Sequence, residues 1–382
     1  MTTLQGITVL EVGGFLAAPW ATMHLADLGA RVIKVEMAGQ GDSVRQTAPI
    51  VNGESAAFAT INRNKESVVL DLKSPDGMSA FLELVRNTDV LVENLRPGAM
   101  SKLGLGYSDL APRAPSLIYA SASGWGQDGP DAGLPGLDIM AQARSGLMSL
   151  TGSMGGPAVK VGVPVCDLVC ALYVALAVTA ALHERQRSGL GQFIDVSLLE
   201  SAVSLAVWEA PRYFVNGEVG APLGTAHQSL APYQAFGTSD GKVTLGAVTT
   251  KTWSALCEVL GLPELERDPR FVDGGTRFRH RAELAEVLEG ATRAFSTSEL
   301  LDKLIRAQVP CARIADIEQA LTDPHLAERE FFWDSSHPTI GTVRQTRSPM
   351  RFSRTPTVAG QAGPLLGQHT QQVLAEFGAG EA

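Results

Sequence analysis

The N-terminal half of the chain alternates short apolar runs with segments in which apolar residues recur every three or four positions. Short apolar runs bounded by glycine or polar residues are typical of strands, and the longer spacing is typical of helices. Because strands that alternate with helices form parallel sheets with right-handed crossovers, we expect an open α/β sheet. We predict strands over residues 7–12, 31–36, 67–72, 90–93 and 117–121, and helices over residues 18–28, 78–86 and 168–187.

Other segments depart from this alternation. Residues 124–162 are rich in glycine, proline and aspartate, and we predict a loop zone there. Residues 233–245 are typical of a hairpin with its turn at Asp240–Gly241, which indicates a separate, smaller α+β domain. Amphipathic helices follow the hairpin, and the tail combines a strand-rich stretch with a closing helix. These are the helices around 251–260, 279–292 and 298–307, the strand-rich stretch 339–352 and the closing helix 368–377.

Composition and charge narrow the class of protein. The 382 residues are 45% hydrophobic and 19% charged, which is ordinary for a globular protein. The chain carries 31 Lys+Arg against 40 Asp+Glu, a formal charge of −9, and no basic tract, which argues against nucleic acid and anionic membranes as partners. The four cysteines form no CxxC pair and the seven histidines are dispersed, so we expect neither a disulfide framework nor a metal site.

Two further observations concern location. The N-terminus has no basic stretch ahead of an apolar one, as a targeting segment would, and its first apolar run contains Glu11. The most apolar segment, residues 168–182, has 15 residues, shorter than the roughly 20 that span a bilayer. We therefore expect a cytoplasmic protein in a reduced compartment, without a membrane partner.

The first turn from strand to helix is where a dinucleotide-binding fold carries G-x-G-x-x-G. Residues 13–20 are GGFLAAPW, which lacks the glycines that let the backbone approach a pyrophosphate. Glu36, at the end of the second strand, is the type of residue that holds a ribose, but it stands without that loop. We also find no Walker A, HExxH or G-x-S-x-G motif. An NAD-dependent oxidoreductase is therefore disfavoured.

Asp167 lies between two apolar segments, at the start of the long predicted helix. One interpretation is an N-cap, whose carboxylate accepts hydrogen bonds from the N–H groups of the first turn. The other is a nucleophile, because the helix dipole and these N–H groups can keep a carboxylate ionised in apolar surroundings. The same N–H groups could stabilise an oxyanion formed beside it. The pattern leaves both interpretations open.

Eight stretches along the chain match one family in order and spacing. They are LQGITVLE (4–11), LADLGARVIKVE (25–36), NRNKES (62–67), LDLK (70–73), VENLRPG (92–98), GWGQDGP (124–130), LHERQRSGLGQ (182–192) and PLLGQHT (364–370). Each stretch is modest alone, and together they are specific. On these motifs the chain resembles the class III CoA-transferases, the formyl-CoA transferase and carnitine-CoA transferase type, over nearly all of its length.

The resemblance implies an architecture in keeping with the pattern. It is a Rossmann-like large domain with a mostly parallel open sheet, completed by the C-terminal segment, and a smaller α+β domain, in a homodimer whose two chains are interlocked. The predicted boundaries are 1–200 for the large domain, 201–222 for a linker, 223–325 for the small domain, and 326–382 for a return linker and the C-terminal part of the large domain.

The resemblance also implies a reaction. The family's catalytic residue is an aspartate, and Asp167 occupies its place ahead of the long helix. In the implied mechanism the carboxylate attacks an acyl-CoA thioester to give a mixed anhydride, and the released CoA thiolate returns to give an aspartyl-CoA thioester. An acceptor carboxylate then reverses the sequence. The expected partners are an acyl-CoA and a small carboxylic acid; coenzyme A is a substrate, and no permanently bound cofactor is expected.

Contacts to CoA carry over from the family position by position. Lys73 is the expected phosphate partner, with a solvated surface charge as the alternative for Lys73 and Arg96. Two positions depart from the family pattern: Met37 stands where an arginine often contacts the adenine end, and Leu190 replaces the arginine of a TGRGQ stretch. The expected contact positions are Leu16, Ala17, Leu70, Lys73, Asn94, Leu95, Arg96, Lys102, Leu137 and Asp138.

Two alternatives accompany the resemblance. The α-methylacyl-CoA racemases of the same superfamily use a histidine and an aspartate as acid and base, and the histidine would fall at Leu137, which cannot exchange a proton. The other alternative is a non-catalytic CoA-binding relative, against which the intact Asp167 argues. The transferase is therefore preferred.

The sequence constrains the substrate acids less. Residues 231–236, APYQAF, resemble the branch of the family that uses succinyl-CoA and dicarboxylates. A cation could hold a second carboxylate, although a salt bridge between domains or subunits would explain Arg212 equally well. The candidates for the acid pocket are Arg212, Tyr213, His227 and Gln228.

Overall fold

The computed structural model describes residues 1–378, and the last four residues of the predicted C-terminal part lie outside the described residues. The chain divides into two compact units. The large unit comprises residues 1–148, residues 160–219 and the chain from His325 onwards. The small unit comprises residues 149–159 and 220–324.

The strands within residues 1–378 are short and fall into four sheets. In chain order they are β1 (Thr8–Val12), β2 (Arg31–Glu36), β3 (Ile50–Val51), β4 (Glu54–Ser55), β5 (Lys65–Val69), β6 (Val90–Glu93), β7 (Ile118–Ser123), β8 (Phe193–Ser197), β9 (Tyr233–Gly237), β10 (Lys242–Gly246), β11 (Cys311–Arg313), β12 (Phe332–His337) and β13 (Gly341–Thr346).

The helices range from single turns to the 24 residues of the longest. In chain order they are α1 (Ala17–Asp27), α2 (Ala56–Ile61), α3 (Pro75–Arg86), α4 (Ala99–Lys102), α5 (Tyr107–Leu110), α6 (Asp138–Arg144), α7 (Leu147–Leu150), α8 (Val165–Ser188), α9 (Leu198–Val203), α10 (Glu209–Asn216), α11 (Thr250–Leu260), α12 (Gly274–Arg279), α13 (Arg281–Thr292), α14 (Thr297–Arg306), α15 (Ile317–Leu321), α16 (Pro324–Glu328) and α17 (Thr370–Glu376). Two 3₁₀ turns cover Ser43–Gln46 and Pro263–Glu266.

A six-stranded sheet forms the centre of the large unit. Its order is β5-β2-β1-β6-β7-β8, and every neighbouring pair is parallel, so the predicted open α/β sheet is confirmed. The chain runs outward in one direction from β1 to β5 and in the other from β6 to β8. Ligands of open α/β sheets bind at the carboxyl ends of the strands, at the point where the strand order reverses. Here that point lies between β1 and β6.

Both faces of this sheet are covered. On one face α1, α8 and α9 pack against residues such as Val9 and Val92, and on the other α3 and α17 pack against residues such as Leu10 and Leu91. Successive strand residues therefore point into two apolar layers. This is why the central strands form continuous apolar runs rather than alternating ones.

One helix among the described residues, α8, is long and apolar enough by length and composition to cross a membrane. A core helix passes the same test, and Cys166, Cys170, Val174 and Val178 of α8 are buried in the large unit. The finding is therefore weak support for a membrane span.

The small unit contains a three-stranded antiparallel sheet in the order β11-β10-β9. β9 and β10 form the predicted hairpin, and the Thr238 N–H donates to Gly241 O across its turn (2.9 Å). Helices α11, α13 and α14 contribute Trp253, Leu288 and Leu300 to one apolar cluster with the sheet. This unit thus has a core of its own.

The structure corrects three predictions. The loop zone predicted at 124–162 contains α6 and α7, whose glycine- and proline-rich surroundings hid two short helices. The strand predicted at 67–72 runs over Lys65–Val69 instead. The prediction missed its start because Lys65 is charged, although it is buried in the structure. The strand-rich stretch predicted at 339–352 begins earlier, since β12 pairs with β13 as an antiparallel hairpin.

Candidate active site

Two neighbouring cavities lie at the carboxyl ends of the parallel strands and share Gly14 in their lining. The Asp167 cavity, of about 280 Å³, follows β1, β6 and β7, and the Lys73 cavity, of about 420 Å³, follows β1, β2 and β5. Together they occupy the crevice in which open α/β sheets bind ligands. The Asp167 cavity is lined by Gly14, Phe15, Ala17, Asn94, Ala122, Ser123, Gly124, Gly136, Leu137, Asp167 and Leu198.

Asp167 stands in the first turn of α8 and not at its N-cap, so the N-cap interpretation is wrong. Pro164 holds the N-cap position and has no side-chain acceptor. Asp138, the first residue of α6, supplies the cap from outside: its Oδ1 accepts the N–H groups of Cys166 (N···O 2.8 Å) and Asp167 (3.4 Å). Its Oδ2 accepts from Gln142 Nε2 (2.6 Å). Asp167 is one of the residues that line the cavity.

The surroundings of Asp167 disfavour its ionised form. Burial, and then the negative charge of Asp138, raise the pKa of Asp167 to about 7. The expectation that the helix N-terminus keeps this carboxylate ionised is wrong, because Asp138 takes the N–H groups that would do so. For the same reason the N–H groups of Cys166 and Asp167 are already bonded and do not form the expected oxyanion site. Because this pKa is close to neutral, the nucleophilic carboxylate is accessible at neutral pH.

The walls of the Asp167 cavity combine apolar side chains with polar surface. Phe15 and Leu137 present exposed side chains, with 59% and 55% of their surface accessible. A Cβ on Gly124 would lie 2.9 Å from the Cα of Gly136, so the two segments approach each other only because both residues are glycine. Among the described lining residues, Asp167 is the one titratable side chain.

The turn at residues 13–16, between β1 and α1, forms the wall between the two cavities. Asn94 holds Gly14 at both main-chain groups, accepting its N–H (3.0 Å) and donating to its carbonyl (2.8 Å). A Cβ on Gly13 would lie 2.1 Å from Asn94 Oδ1, so this approach requires glycine. Phe15 has a left-handed backbone (φ 64°), and its N–H donates to Asp42 Oδ1 (3.1 Å). Two side chains therefore set the course of the turn.

A set of fully buried charges lies beside this turn, and the sequence analysis did not predict it. Glu11 in β1 pairs with Lys34 in β2 (Oε1···Nζ 2.6 Å) and Lys65 in β5 (Oε2···Nζ 2.8 Å). Burial alone would raise the pKa of Glu11, but the two lysines lower it to about 2. The signal that could have revealed the set is a charged residue in or beside each of three apolar strands.

The carboxylate of Glu36 is hydrogen-bonded to other residues of the protein and is not free to bind a ligand. Arg45 binds both of its oxygens, with Nε and Nη2 at 2.8 and 2.7 Å. Ser67 Oγ and the Asp42 N–H donate to it as well, at 2.6 and 3.0 Å. Burial alone would raise the pKa of Glu36, but Arg45, Lys34 and Ser67 outweigh it and lower the pKa. This carboxylate is therefore engaged within the protein, which agrees with the rejection of an NAD site.

The Lys73 cavity offers an apolar trough with one lysine at its rim. Lys73 is exposed and directly precedes Ser74, whose Oγ caps α3. Met37, where the family often has arginine, also lines this cavity and is 57% exposed. The full lining is Val12, Gly13, Gly14, Val35, Glu36, Met37, Gly41, Asp42, Ser43, Leu70, Asp71, Leu72, Lys73, Leu95 and Leu103.

The predicted CoA positions distribute over three cavities. Arg96 lines a third one, of about 220 Å³, beside the buried Glu93, whose pKa burial raises to about 7. Leu16, Lys102 and Asp138 line none of the three in the part of the chain that the structure describes, and Asp138 acts on α8 instead. Those in the Asp167 cavity are Ala17, Asn94 and Leu137, and those in the Lys73 cavity are Leu70, Lys73 and Leu95.

Neither a metal cluster nor the candidate acid residues belong to the Asp167 cavity. Within residues 1–378, no group of three or more His, Cys, Asp or Glu side chains could hold a metal ion. Arg212, on α10, pairs with Glu218 (3.5 Å), and His227 stacks on Tyr233 in the small unit with ring centroids 4.9 Å apart. Of the described lining residues, none carries a positive charge.

The chain is similar to known proteins over its whole length. It matches the family model described as CoA-transferase family III over residues 4–370. It is 38% identical to the succinyl-CoA:glutarate CoA-transferase of Mus musculus, covering 98% of this chain and 86% of that protein. It is 36% identical to the succinyl-CoA:mesaconate CoA-transferase of Haloarcula hispanica, covering 100% and 98%. A solved CAIB/BAIF family protein from Brucella suis has a TM-score of 0.87 at 34% identity, covering 98% of this chain and 99% of that one.

Proposed function

The chain belongs to CoA-transferase family III, and from this premise we propose that it moves CoA from succinyl-CoA to a second small dicarboxylic acid, with Asp167 as the nucleophile. The observation that carries the proposal is the position of Asp167. It is the one titratable side chain in the described lining of a cavity at the crevice of the sheet, and its pKa of about 7 leaves a reactive carboxylate at neutral pH.

The proposed reaction passes through three covalent intermediates on Asp167: an anhydride with the donor acid, a thioester with CoA and an anhydride with the acceptor acid. The carboxylate attacks the thioester carbonyl carbon of succinyl-CoA, the C–S bond breaks, and CoA leaves as a thiolate from a succinyl–aspartyl anhydride. The thiolate then attacks the aspartyl carbonyl carbon, which releases succinate and leaves CoA on Asp167 as a thioester. The acceptor carboxylate attacks that thioester, and the same steps in reverse release the new acyl-CoA.

The cavity suits intermediates that water would destroy. An anhydride hydrolyses readily, and Phe15, Leu137 and Leu198 supply apolar side chains that exclude water once a substrate packs against them. A carboxylate is a weak nucleophile, so the rate depends on positioning. Asp138 contributes to that positioning by capping the turn of α8 on which Asp167 stands.

The Lys73 cavity is the proposed path of CoA. Lys73 would meet a phosphate with its ammonium group, and Leu70 and Leu95 would pack against the apolar parts of the ligand. Asn94 holds the wall that the two cavities share, so a ligand could pass from Lys73 to Asp167 along Gly14.

Arg96 and Lys102 are exposed side chains on the loop and helix that follow β6, and Leu16 is the N-cap residue of α1. We propose these three as contacts at the edges of that path.

The acceptor class follows from the relatives, whose names pair succinyl-CoA with glutarate or mesaconate. Because the described lining of the Asp167 cavity carries no cation, a second carboxylate needs a positive group from outside it. We propose an interlocked homodimer in which a second copy covers α10. In support, Phe214 and Val215 on α10 are each 81% exposed. Adjacent large apolar side chains on a surface are typical of a protein–protein interface.

The racemase alternative requires a second acid or base beside Asp167. Leu137 occupies that position and lines the same cavity, and an aliphatic side chain exchanges no proton. This observation favours transfer over racemisation.

The experiment that tests the proposal is intact-protein mass spectrometry after incubation with succinyl-CoA and hydroxylamine. An aspartyl anhydride or thioester is converted to a stable hydroxamate, so we expect a modified protein and a modified peptide that contains Asp167. Asp167→Asn keeps the shape of the side chain, and we expect it to show no adduct and a loss of transfer activity of at least about 10³-fold. The absence of an adduct, together with solvent deuterium at the α carbon of an acyl-CoA, would favour the racemase.

A further inference from the structure

We propose that Asp42 is a positioning residue for this reaction: it holds the turn at residues 13–16 in the strained conformation that places Phe15 and Gly14 against the Asp167 cavity. The inference rests on the proposed function. Asp42 is absent from the lining of the Asp167 cavity; it lines the neighbouring Lys73 cavity and reaches the Asp167 cavity through the turn.

The conformation of this turn has to be stabilised by residues outside it. Phe15 has φ 64°, a conformation in which the Cβ of a residue other than glycine crowds the following carbonyl oxygen. Its side chain is 59% exposed and is not fixed by burial. The conformation must therefore be maintained by main-chain hydrogen bonds, and the Phe15 N–H donates to Asp42 Oδ1 at 3.1 Å.

Asp42 is itself fixed from several directions. It is 4% exposed, and its Oδ1 also accepts the Val44 N–H at 3.0 Å. Lys34 Nζ lies 2.9 Å from its Oδ2, and its own N–H donates to Glu36 Oε2 at 3.0 Å. Oδ2 makes the ion pair with Lys34 but no hydrogen bond. The two bonds to Oδ1 and the main-chain bond to Glu36 therefore fix the orientation of the carboxylate, which faces the turn. A Cβ on Gly14 would lie 2.9 Å from Asp42 Oδ1, so the two segments are in close contact.

The buried charges hold the same segment at two more points. Lys34 Nζ donates to Gly13 O at 3.0 Å, and Lys65 Nζ donates to Pro19 O at 2.7 Å in the first turn of α1. With Asp42 at Phe15, three charged side chains therefore bind main-chain atoms along residues 13–19. Because this segment is the wall shared by the two cavities, a shift of about 1 Å would move it relative to Asp167 and slow a reaction that depends on positioning.

The test is a set of kinetic cycles in the full-length protein. Asp42→Ala is made in three backgrounds: wild type, Phe15→Leu and Phe15→Gly. Leucine removes the ring but keeps the cost of a left-handed backbone, whereas glycine removes both. For kcat/KM with succinyl-CoA, we expect Asp42→Ala to cost at least about tenfold in the wild-type and Phe15→Leu backgrounds. In the Phe15→Gly background the loss should be smaller by about fivefold, which corresponds to about 1 kcal/mol. Equal losses in all three backgrounds would overturn the proposal, because a merely structural role of Asp42 does not depend on the backbone freedom of residue 15.

Amide hydrogen exchange separates this inference from the proposed function. We expect Asp42→Ala to speed exchange in the peptide that covers residues 13–16, and to do so whether or not succinyl-CoA is a substrate. Unchanged exchange in this peptide would show that Asp42 does not stabilise the turn, even if the enzyme is active, and would overturn the proposal. If Asp42→Ala does not fold, Asp42→Asn takes its place in every arm. Asparagine retains an oxygen that can accept the Phe15 N–H but loses the ion pair with Lys34, so the same pattern of losses is expected at smaller size.

Discussion

Glu11 is fully buried and Asp167 is partly buried in the large unit, and their pKa values are shifted in opposite directions. Glu11 lies between Lys34 and Lys65, which lower its pKa to about 2 although burial alone would raise it. Burial, and to a lesser extent the negative charge of Asp138, raise the pKa of Asp167 to about 7. The same chemical group is thus fully paired in one region and left without a counter-charge in the other.

The difference corresponds to two tasks. A carboxylate that is paired with two ammonium groups is a poor nucleophile and a good structural anchor, and Glu11 lies beside the turn that separates the two cavities. A carboxylate with a raised pKa is more basic, and basicity favours attack on a thioester. Burial alone therefore does not identify a reactive carboxylate; the sign of the charge on its neighbours does. The predictions below alter one side of this contrast at a time.

The largest expected effect follows from removing the charge of Glu11. Glu11→Gln keeps the size of the side chain but leaves Lys65 buried without its carboxylate, and breaking a buried ion pair in this way costs about 3–5 kcal/mol. We expect the free energy of unfolding in urea at pH 7 to fall by that amount. The folded pKa of Glu11 is lowered, so its contribution is present above the unfolded value of 4.5 and is lost as pH falls towards 2.

The control is the same type of change at the other carboxylate. Asp167→Asn also replaces a carboxylate by an amide of the same shape, and we expect no loss of stability from it. A loss below about 1 kcal/mol for Glu11→Gln would mean that the lysines find other partners and that the buried charges are not a coupled set.

The sequence predicts the fold better than it predicts which residues surround Glu11 and Asp167. The parallel sheet is confirmed because continuous apolar strands and helical spacing report burial, which is a local property of the chain. The cap of α8 could not be predicted, because Asp138 is 28 residues away from Cys166 and lies in a segment that lacks any periodic pattern. The Phe15–Asp42 bond joins residues 27 apart in the same way. The place of Asp167 before an apolar helix left an N-cap and a nucleophile as alternatives, and of these the N-cap is wrong.

The next effect concerns the pH dependence of the reaction. Attack requires the ionised form of Asp167, so kcat/KM for succinyl-CoA should fall as pH decreases below about 7, by about tenfold per pH unit at the acid end. Glu93, which lines the third cavity together with Arg96, has a pKa of about 7 as well, so its titration could be confused with that of Asp167. Glu93→Gln should leave the acid limb in place. A profile that is flat between pH 6 and 8 would show that the free enzyme already holds Asp167 ionised.

A smaller effect is expected on stability. An acid whose folded pKa is raised binds more protons in the folded than in the unfolded state, so it lowers stability as pH rises from about 4 to 7 and keeps that cost above. Asp167→Asn removes the cost, and because the residue is partly exposed we expect a gain of about 1 kcal/mol at pH 8 and little at pH 4. Urea unfolding at the two pH values measures it. Equal stability of the two proteins at pH 8 would contradict the raised pKa.

The smallest effect separates the two causes of that pKa. Asp138→Asn removes the negative charge but retains an oxygen that can accept the Cys166 N–H, so α8 keeps its cap. Because burial is the larger cause and Asp138 the smaller, the acid limb of the kcat/KM profile should move to lower pH by less than about one unit. Asp138→Ala is the matched variant: it removes both charge and cap, and its rate should fall at every pH. If the two variants behaved alike, Asp138 would matter for the charge beside Asp167 and not for the turn that carries it.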